Sequence, residues 1–302
     1  MHLSIPFLAT DIKQLPKANI GNNCVEAVVF NREDIIDNNS WQKIWHNVQL
    51  ATTIYGNKNV TFHFPVNHCN YVEDCIIKDK LLESYQRASD LGLWGIVVHA
   101  NQIKSIKEWQ QINIEGYRQI VIDVLVEIKD SFNSFTWIAL ENMPIMDNYG
   151  LEIDPTFIYP SDFLRILNTP IKIVWDICHF TATIANTKEV IAGRHEIKYY
   201  PNLKTELNIS DLDTICSHIT HWHFASFKGV AKPDSTEYCQ EGILPEYGTM
   251  NVEIYEDFLD YIIRNNFQQH IVLEIIEENY ENRINAKKMI EWVNNQINLI
   301  RK

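Results

Sequence analysis

Residues 171–179 read I-K-I-V-W-D-I-C-H, an apolar, β-branched run that ends on Asp176 and is followed three residues later by His179. Apolar residues at successive rather than alternate positions are the mark of a parallel strand covered on both faces. Outward from this stretch, seven more runs of the same kind occur, at residues 3–7, 25–30, 60–64, 96–99, 136–141, 220–225 and 271–276. Helical patterns lie between and after them, at residues 41–54, 74–91, 105–130, 161–167, 210–217, 252–265 and 282–300. In the last of these, Ile284, Met289, Ile290, Trp292, Val293, Ile297 and Ile300 recur mostly at three- and four-residue steps.

Eight strands alternating with helices predict an α/β chain closed as a (β/α)8 TIM barrel. No G-x-G-x-x-G follows the first strand, which argues against an open doubly wound sheet. No Gly/Ser-rich or Pro-rich linker divides the chain, so residues 1–302 are expected to form one barrel domain. The 46% hydrophobic content is enough for a full core. With 26 Lys+Arg against 39 Asp+Glu the formal charge is −13, which weighs against nucleic acid as a partner and leaves a small-molecule substrate. The six cysteines form no C-x-x-C pair and read as reduced thiols. A basic leader with an apolar core is absent, as is any run of about 18 apolar residues, so the expectation is a cytoplasmic protein without a membrane span. Homo-oligomerisation stays open.

Strand ends carry the chemistry. His63, His99, Glu141, Asp176, His223 and Glu274 each stand at or near the C-terminal end of a different run. That is the face on which barrel active sites are built. Charged groups there are costly unless they are paired or bind metal. An oxygen- and nitrogen-rich set without thiolate suits a divalent Mn, Fe, Co or Zn ion.

The motifs L-E-N at 140–142, W-D-I-C-H at 175–179 and W-H-F-A-S at 222–226 resemble those of the xylose isomerase-like barrel superfamily, which includes sugar isomerases and epimerases and endonuclease IV-type AP endonucleases (family 2). The resemblance implies a metal held by Glu141, Asp176, His223 and Glu274. In the isomerase and epimerase branch it implies Glu141 and Glu274 as proton donor and acceptor, with His179 on a substrate oxygen. In the endonuclease branch it implies His63 and His99 as ligands of a second metal, and direct contact of these two histidines with substrate stays equally open. A third metal there needs a D-x-H pair, and this chain has Glu241 and Ile243 instead, of which Ile243 cannot ligate.

The expected function is therefore a metal-dependent isomerase or epimerase acting on a sugar-like or hydroxy/keto substrate. The alternatives are a multinuclear metal hydrolase or a biosynthetic metalloenzyme, for instance one oxidising at iron. Further polar residues have plainer roles. His221 shares the strand parity of His223 and should be a buried, hydrogen-bonded residue one layer deeper. Lys228 reads as a solvated loop residue, and Glu277 and Glu278 as an exposed cluster before the last helix. His68, Cys69 and Cys75 match no structural zinc spacing. Residues 181–211 and 229–250 should shape the pocket.

Overall fold

A computed structural model of the chain describes residues 1–17, 20–145, 152–195, 199–230, 239–266 and 270–300. Eight strands close into a barrel: β1 (His2–Leu8), β2 (Cys24–Val28), β3 (Val60–His63), β4 (Gly95–Val98), β5 (Trp137–Glu141), β6 (Lys172–Asp176), β7 (Ile219–Phe224) and β8 (His270–Leu273). Around the barrel the order is β1-β8-β7-β6-β5-β4-β3-β2, and every neighbouring pair is parallel. All eight predicted runs are barrel strands. This is the (β/α)8 TIM barrel that the alternation predicted.

The barrel interior is divided in two. On one side Val97, Trp137, Ala139 and Val174 form an apolar wedge from β4, β5 and β6. On the other, Ser4, Glu26, Thr61 and His221 are buried and polar. The wedge depends on Gly95, because a Cβ there would lie 2.0 Å from the Trp137 ring. Rigid indole on one strand therefore requires glycine on its neighbour.

Helices cover the outside: α1 (Asn38–Tyr55), α2 (Cys75–Leu91), α3 (Ile114–Asp130), α4 (Ile177–Ile191), α5 (Val252–Asn266) and α6 (Ile284–Ile300). Several start on an aspartate cap. Asp37 accepts the Ser40 N–H at 2.8 Å and Asp74 accepts the Ile76 N–H at 2.9 Å. The left-handed Gly92 (φ 66°) ends α2.

The structure corrects four expectations. The pattern at 105–130 is split into Ile106–Trp109 and α3. Residues 161–167 and 210–217 hold 3-10 turns, not α-helix, so among the described residues the β5–β6 crossover has no α-helix. The stretch from Thr181 is helical as far as Ile191, because α4 leaves β6 directly. Glu277 is buried and accepts the backbone N–H groups of Asn285 (3.0 Å) and Ala286 (2.6 Å) at the start of α6. Residues 231–238 of the 229–250 loop lie outside the described residues, while its flanks Ser226–Lys228 and Gln240–Ile243 pair as an antiparallel hairpin.

Candidate metal centre

Glu141, the last residue of β5, is the hub of the barrel mouth. Its Oε2 lies 3.1 Å from both His63 Nε2 and His99 Nε2. Its Oε1 lies 3.2 Å from His223 Nδ1 and 3.5 Å from His179 Nδ1. The side chain is only 1% exposed. His63 Nδ1–H donates to the Phe64 carbonyl at 2.9 Å, which fixes the ring with Nε2 facing the centre.

The D-x-x-H spacing has a local cause. Asp176 ends β6 and caps α4, its Oδ1 accepting the His179 N–H at 2.7 Å. A cap bonds the third residue of its helix, so Asp176 brings the His179 backbone to itself and the imidazole follows. Asn142 locks the arrangement. Its amide donates to the Asp176 carbonyl at 3.0 Å and accepts the Asp176 N–H at 2.6 Å, while its own carbonyl accepts His179 Nδ1–H at 2.7 Å. Asn142 belongs to the L-E-N motif, yet no role for it was read from the sequence.

Glu274 follows β8 and places Oε2 3.4 Å from His223 Nδ1. The hairpin brings Glu241 Oε1 to 3.5 Å from His179 Nε2. Behind the centre stands Glu26 on β2, which the sequence reading missed. Its Oε2 accepts from Thr61 Oγ1 at 2.8 Å and from His221 Nε2 at 3.0 Å. His223 Nε2 is 3.1 Å from Glu26 Oε1, an ion contact rather than an aligned hydrogen bond. His221 is buried and bonded one layer below His223, as its parity predicted.

The structure thus brings His63, His99, Glu141, Asp176, His179, His223 and Glu274 into one mouth. Within it, His63, His99 and Glu141 form one group of potential ligands and Glu141, Asp176 and His223 another, each with donor atoms within 4.8 Å of one another. Among the described residues, His68, Cys69 and Cys75 form no such group.

Electrostatics suit a cation. Burial alone would raise the Glu141 carboxyl, but His223, His99 and His63 hold it well below the usual range. Burial, with Glu274 and Glu141 adding to it against His179, pushes Asp176 up to about 7. The neighbouring carboxylates override burial to raise His63, His179 and His223, and the last two stand well above the usual imidazole value. Burial lowers His99. Both His99 ring nitrogens are buried and make no hydrogen bond among the described residues, although Nε2 touches Glu141. A buried imidazole left in that state fits a missing Lewis-acid partner.

Two cavities open beside the centre. One, of ≈ 430 Å³, is lined by Phe7, Asp176, Glu274, Ile276 and Tyr280 among others. The second, of ≈ 630 Å³, is lined by residues including His99, Asn101, Asp154 and His179. Glu241 borders both.

No protein-family model matches the chain, and a search of curated proteins finds none similar. Solved structures do match. A D-tagatose 3-epimerase-like protein superposes with a TM-score of 0.59 at 16% identity, covering 98% of this chain and 100% of the other. Endonuclease IV from Thermus thermophilus gives 0.60 at 13% identity, covering 98% and 100%. The TTHB071 protein of the same organism, soaked with ZnCl2, gives 0.58 at 13%, covering 98% of each chain. The chain shares the barrel fold of these proteins. At these identities the likeness fixes the fold and leaves the reaction to the site. Among the described residues no helix is long and apolar enough to cross a membrane.

Proposed function

We propose that the protein is a divalent-metal-dependent sugar isomerase or epimerase acting on a small, uncharged polyhydroxylated or carbonyl substrate. The observation that carries this reading is Glu274. Its side chain is 30% exposed and lines the ≈ 430 Å³ cavity, whereas Glu141 and Asp176 are buried at 1% and 2%. Glu141, Asp176, His223 and Glu274 would hold a divalent cation, which would supply Lewis acidity to a substrate oxygen and so acidify the adjoining C–H. Glu274 then takes that proton from the cavity side. His179, held through Nδ1 by the Asn142 carbonyl, presents Nε2 to a substrate oxygen.

Delivering the proton on the same face to the neighbouring carbon through Glu274, while the hydroxyl proton of the enediol passes to the other oxygen, gives isomerisation. Return on the opposite face, which epimerisation needs, falls to Glu141, and Glu141 must first leave the imidazoles that surround it. The arrangement therefore favours isomerisation. Among the described residues neither cavity is lined by Lys or Arg, so neither offers a cationic grip on phosphate, and this supports an uncharged substrate over nucleic acid.

A second reading, a two-metal hydrolase, is favoured by the two ligand groups that share Glu141. Paired cations would stabilise the attacking and leaving oxygens of a displacement. The test is solvent-hydrogen exchange in D2O, followed by NMR over a panel of aldoses, ketoses and cyclitols with the Mn-, Fe-, Co- or Zn-loaded protein. Exchange at one carbon, abolished in a folded Glu274→Gln variant, is expected. Exchange that survives Glu274→Gln would remove the assigned base. No exchange with any metal, together with two ions per chain and hydrolysis of model esters or phosphodiesters, would move the assignment to the second reading.

A further inference from the structure

The closed end of the barrel carries a second donor cluster, on the far side of the interior from Glu141. His2, Cys24 and His270 are the first residues of β1, β2 and β8, three strands that are neighbours in the barrel. A donor atom from each lies within 4.8 Å of the other two. Cys24 Sγ is 3.7 Å from His270 Nε2, and the His2 and His270 ring centroids are 5.2 Å apart. A sulfur and an imidazole nitrogen bound to one tetrahedral zinc stand about 3.5 Å apart, given the usual bond lengths. The observed spacing needs little adjustment to reach that value.

We propose that His2, Cys24 and His270 bind a Zn(II) ion that staples the first, second and last strands at the seam where the barrel closes. One thiolate with two imidazoles selects zinc over the harder Mg, Ca or Mn. The mouth cluster, built from oxygen and nitrogen donors alone, has no such selectivity. Cys24 and His270 are buried at 0% and 5%, and His2 is partly exposed, so the cluster has a dry inner wall and an opening to solvent.

Neighbours hold the rings. Trp94 stacks on His270 with centroids 5.5 Å apart and planes at 19°. The Asn23 side-chain amide is 3.1 Å from His2 Nδ1. With that amide turned so that its oxygen accepts Nδ1–H, His2 Nε2 is left with a free lone pair. Asn59 Oδ1, 3.7 Å from Cys24 Sγ, and water are the candidates for a fourth donor. Binding releases the Cys24 thiol proton to solvent.

Cobalt(II) as a probe separates this site from the mouth. A cobalt–thiolate bond gives an intense near-ultraviolet charge-transfer band that ligation by nitrogen and oxygen does not. The full-length wild type should show this band, and zinc should abolish it. Cys24→Ser should remove it, while His223→Ala at the mouth and Cys178→Ser beside Asp176 should leave it. A wild type without the band overturns the proposal, as does a band that survives Cys24→Ser or disappears in Cys178→Ser. If Cys24→Ser does not fold, His2→Ala at the half-buried strand start replaces it. A weakened, shifted band is then expected, and an unchanged band refutes the site.

Discussion

Replacing Glu26 by Gln should weaken metal binding at the mouth although Glu26 faces no cavity. The carboxylate is fully buried, accepts from Thr61 and His221, and touches His223 Nε2 at 3.1 Å. That contact commits Nε2 of His223 to Glu26 and aims Nδ1 at Glu141, Asp176 and Glu274. Glutamine keeps the shape but turns one acceptor into a donor, so one of the two histidines loses its partner or reverses its tautomer. A reversed His223 carries its proton on Nδ1, the atom facing the other ligands. Loss of such an outer partner costs roughly 10–100-fold in metal affinity, or about 1.4–2.8 kcal/mol at about 1.4 kcal/mol per tenfold.

Loss of the carboxylate charge that His221 bonds to should also cost the metal-free fold about 1.5–3 kcal/mol. Zinc competition against a chromophoric chelator reads the first effect, and thermal melts in excess chelator read the second. The reasoning fails if Glu26→Gln binds zinc as tightly as wild type. It also fails if the whole effect appears in the melt and none in the affinity, since Glu26 would then support the fold without orienting His223.

Two further outcomes follow from the same geometry. The raised His63, His179 and His223 contribute stability that is fully present below the ordinary imidazole value of about 6.5 and lost as pH rises through their folded values; Asp176, raised by burial, acts in the same direction up to about 7. Metal-free protein should therefore melt lower as pH rises from about 6.5, while the gain from saturating zinc grows because the ion displaces those protons. A melting series in chelator and in zinc checks both slopes, and a metal-free Tm that climbs over this interval contradicts the assignment. Separately, Gly95→Ala should destabilise the barrel by more than about 3 kcal/mol, the upper end for ordinary overpacking, because the added methyl meets the Trp137 ring at 2.0 Å. Denaturant unfolding measures this, and restoration by a smaller residue at 137 checks the cause.

The barrel was legible because its strands are covered on both faces, so each appears as an unbroken apolar run. Strand-end donors were legible for the complementary reason: a charge that closes such a run is too costly to stand there without a partner or a metal. Helix α4 was not, since T-A-T-I-A-N-T at 181–187 is rich in β-branched residues with low helix propensity, and burial of Phe180, Ala182 and Ala185 decides its form. Glu26 lies inside the run V-E-A-V-V, where one carboxylate reads as a strand's solvent face. The usable signal was parity, because Cys24 and Glu26 sit on the same side of β2 just as His221 and His223 do on β7. The Cys24–His270 contact joins residues 246 apart, and no spacing rule reaches that far.

These interior residues also change what the composition means. A formal charge of −13 suggests a uniformly acidic surface. Yet Glu26, Glu141 and Asp176 are at most 2% exposed, and they draw protons onto His63, His179 and His223. Without a cation those protons neutralise part of the buried charge. With one, the same carboxylates become ligands or hold ligands in place, and the protons leave. The surface is less negative than the count in either state, so net charge is a weak argument about partners for this chain. The cavity walls are a stronger one. Their carboxylate groups, unaccompanied by Lys or Arg among the described residues, would repel a phosphodiester wherever a cation or a protonated imidazole did not screen them. A neutral substrate meets no such barrier, and that asymmetry supports the proposed sugar-like substrate over a nucleic acid.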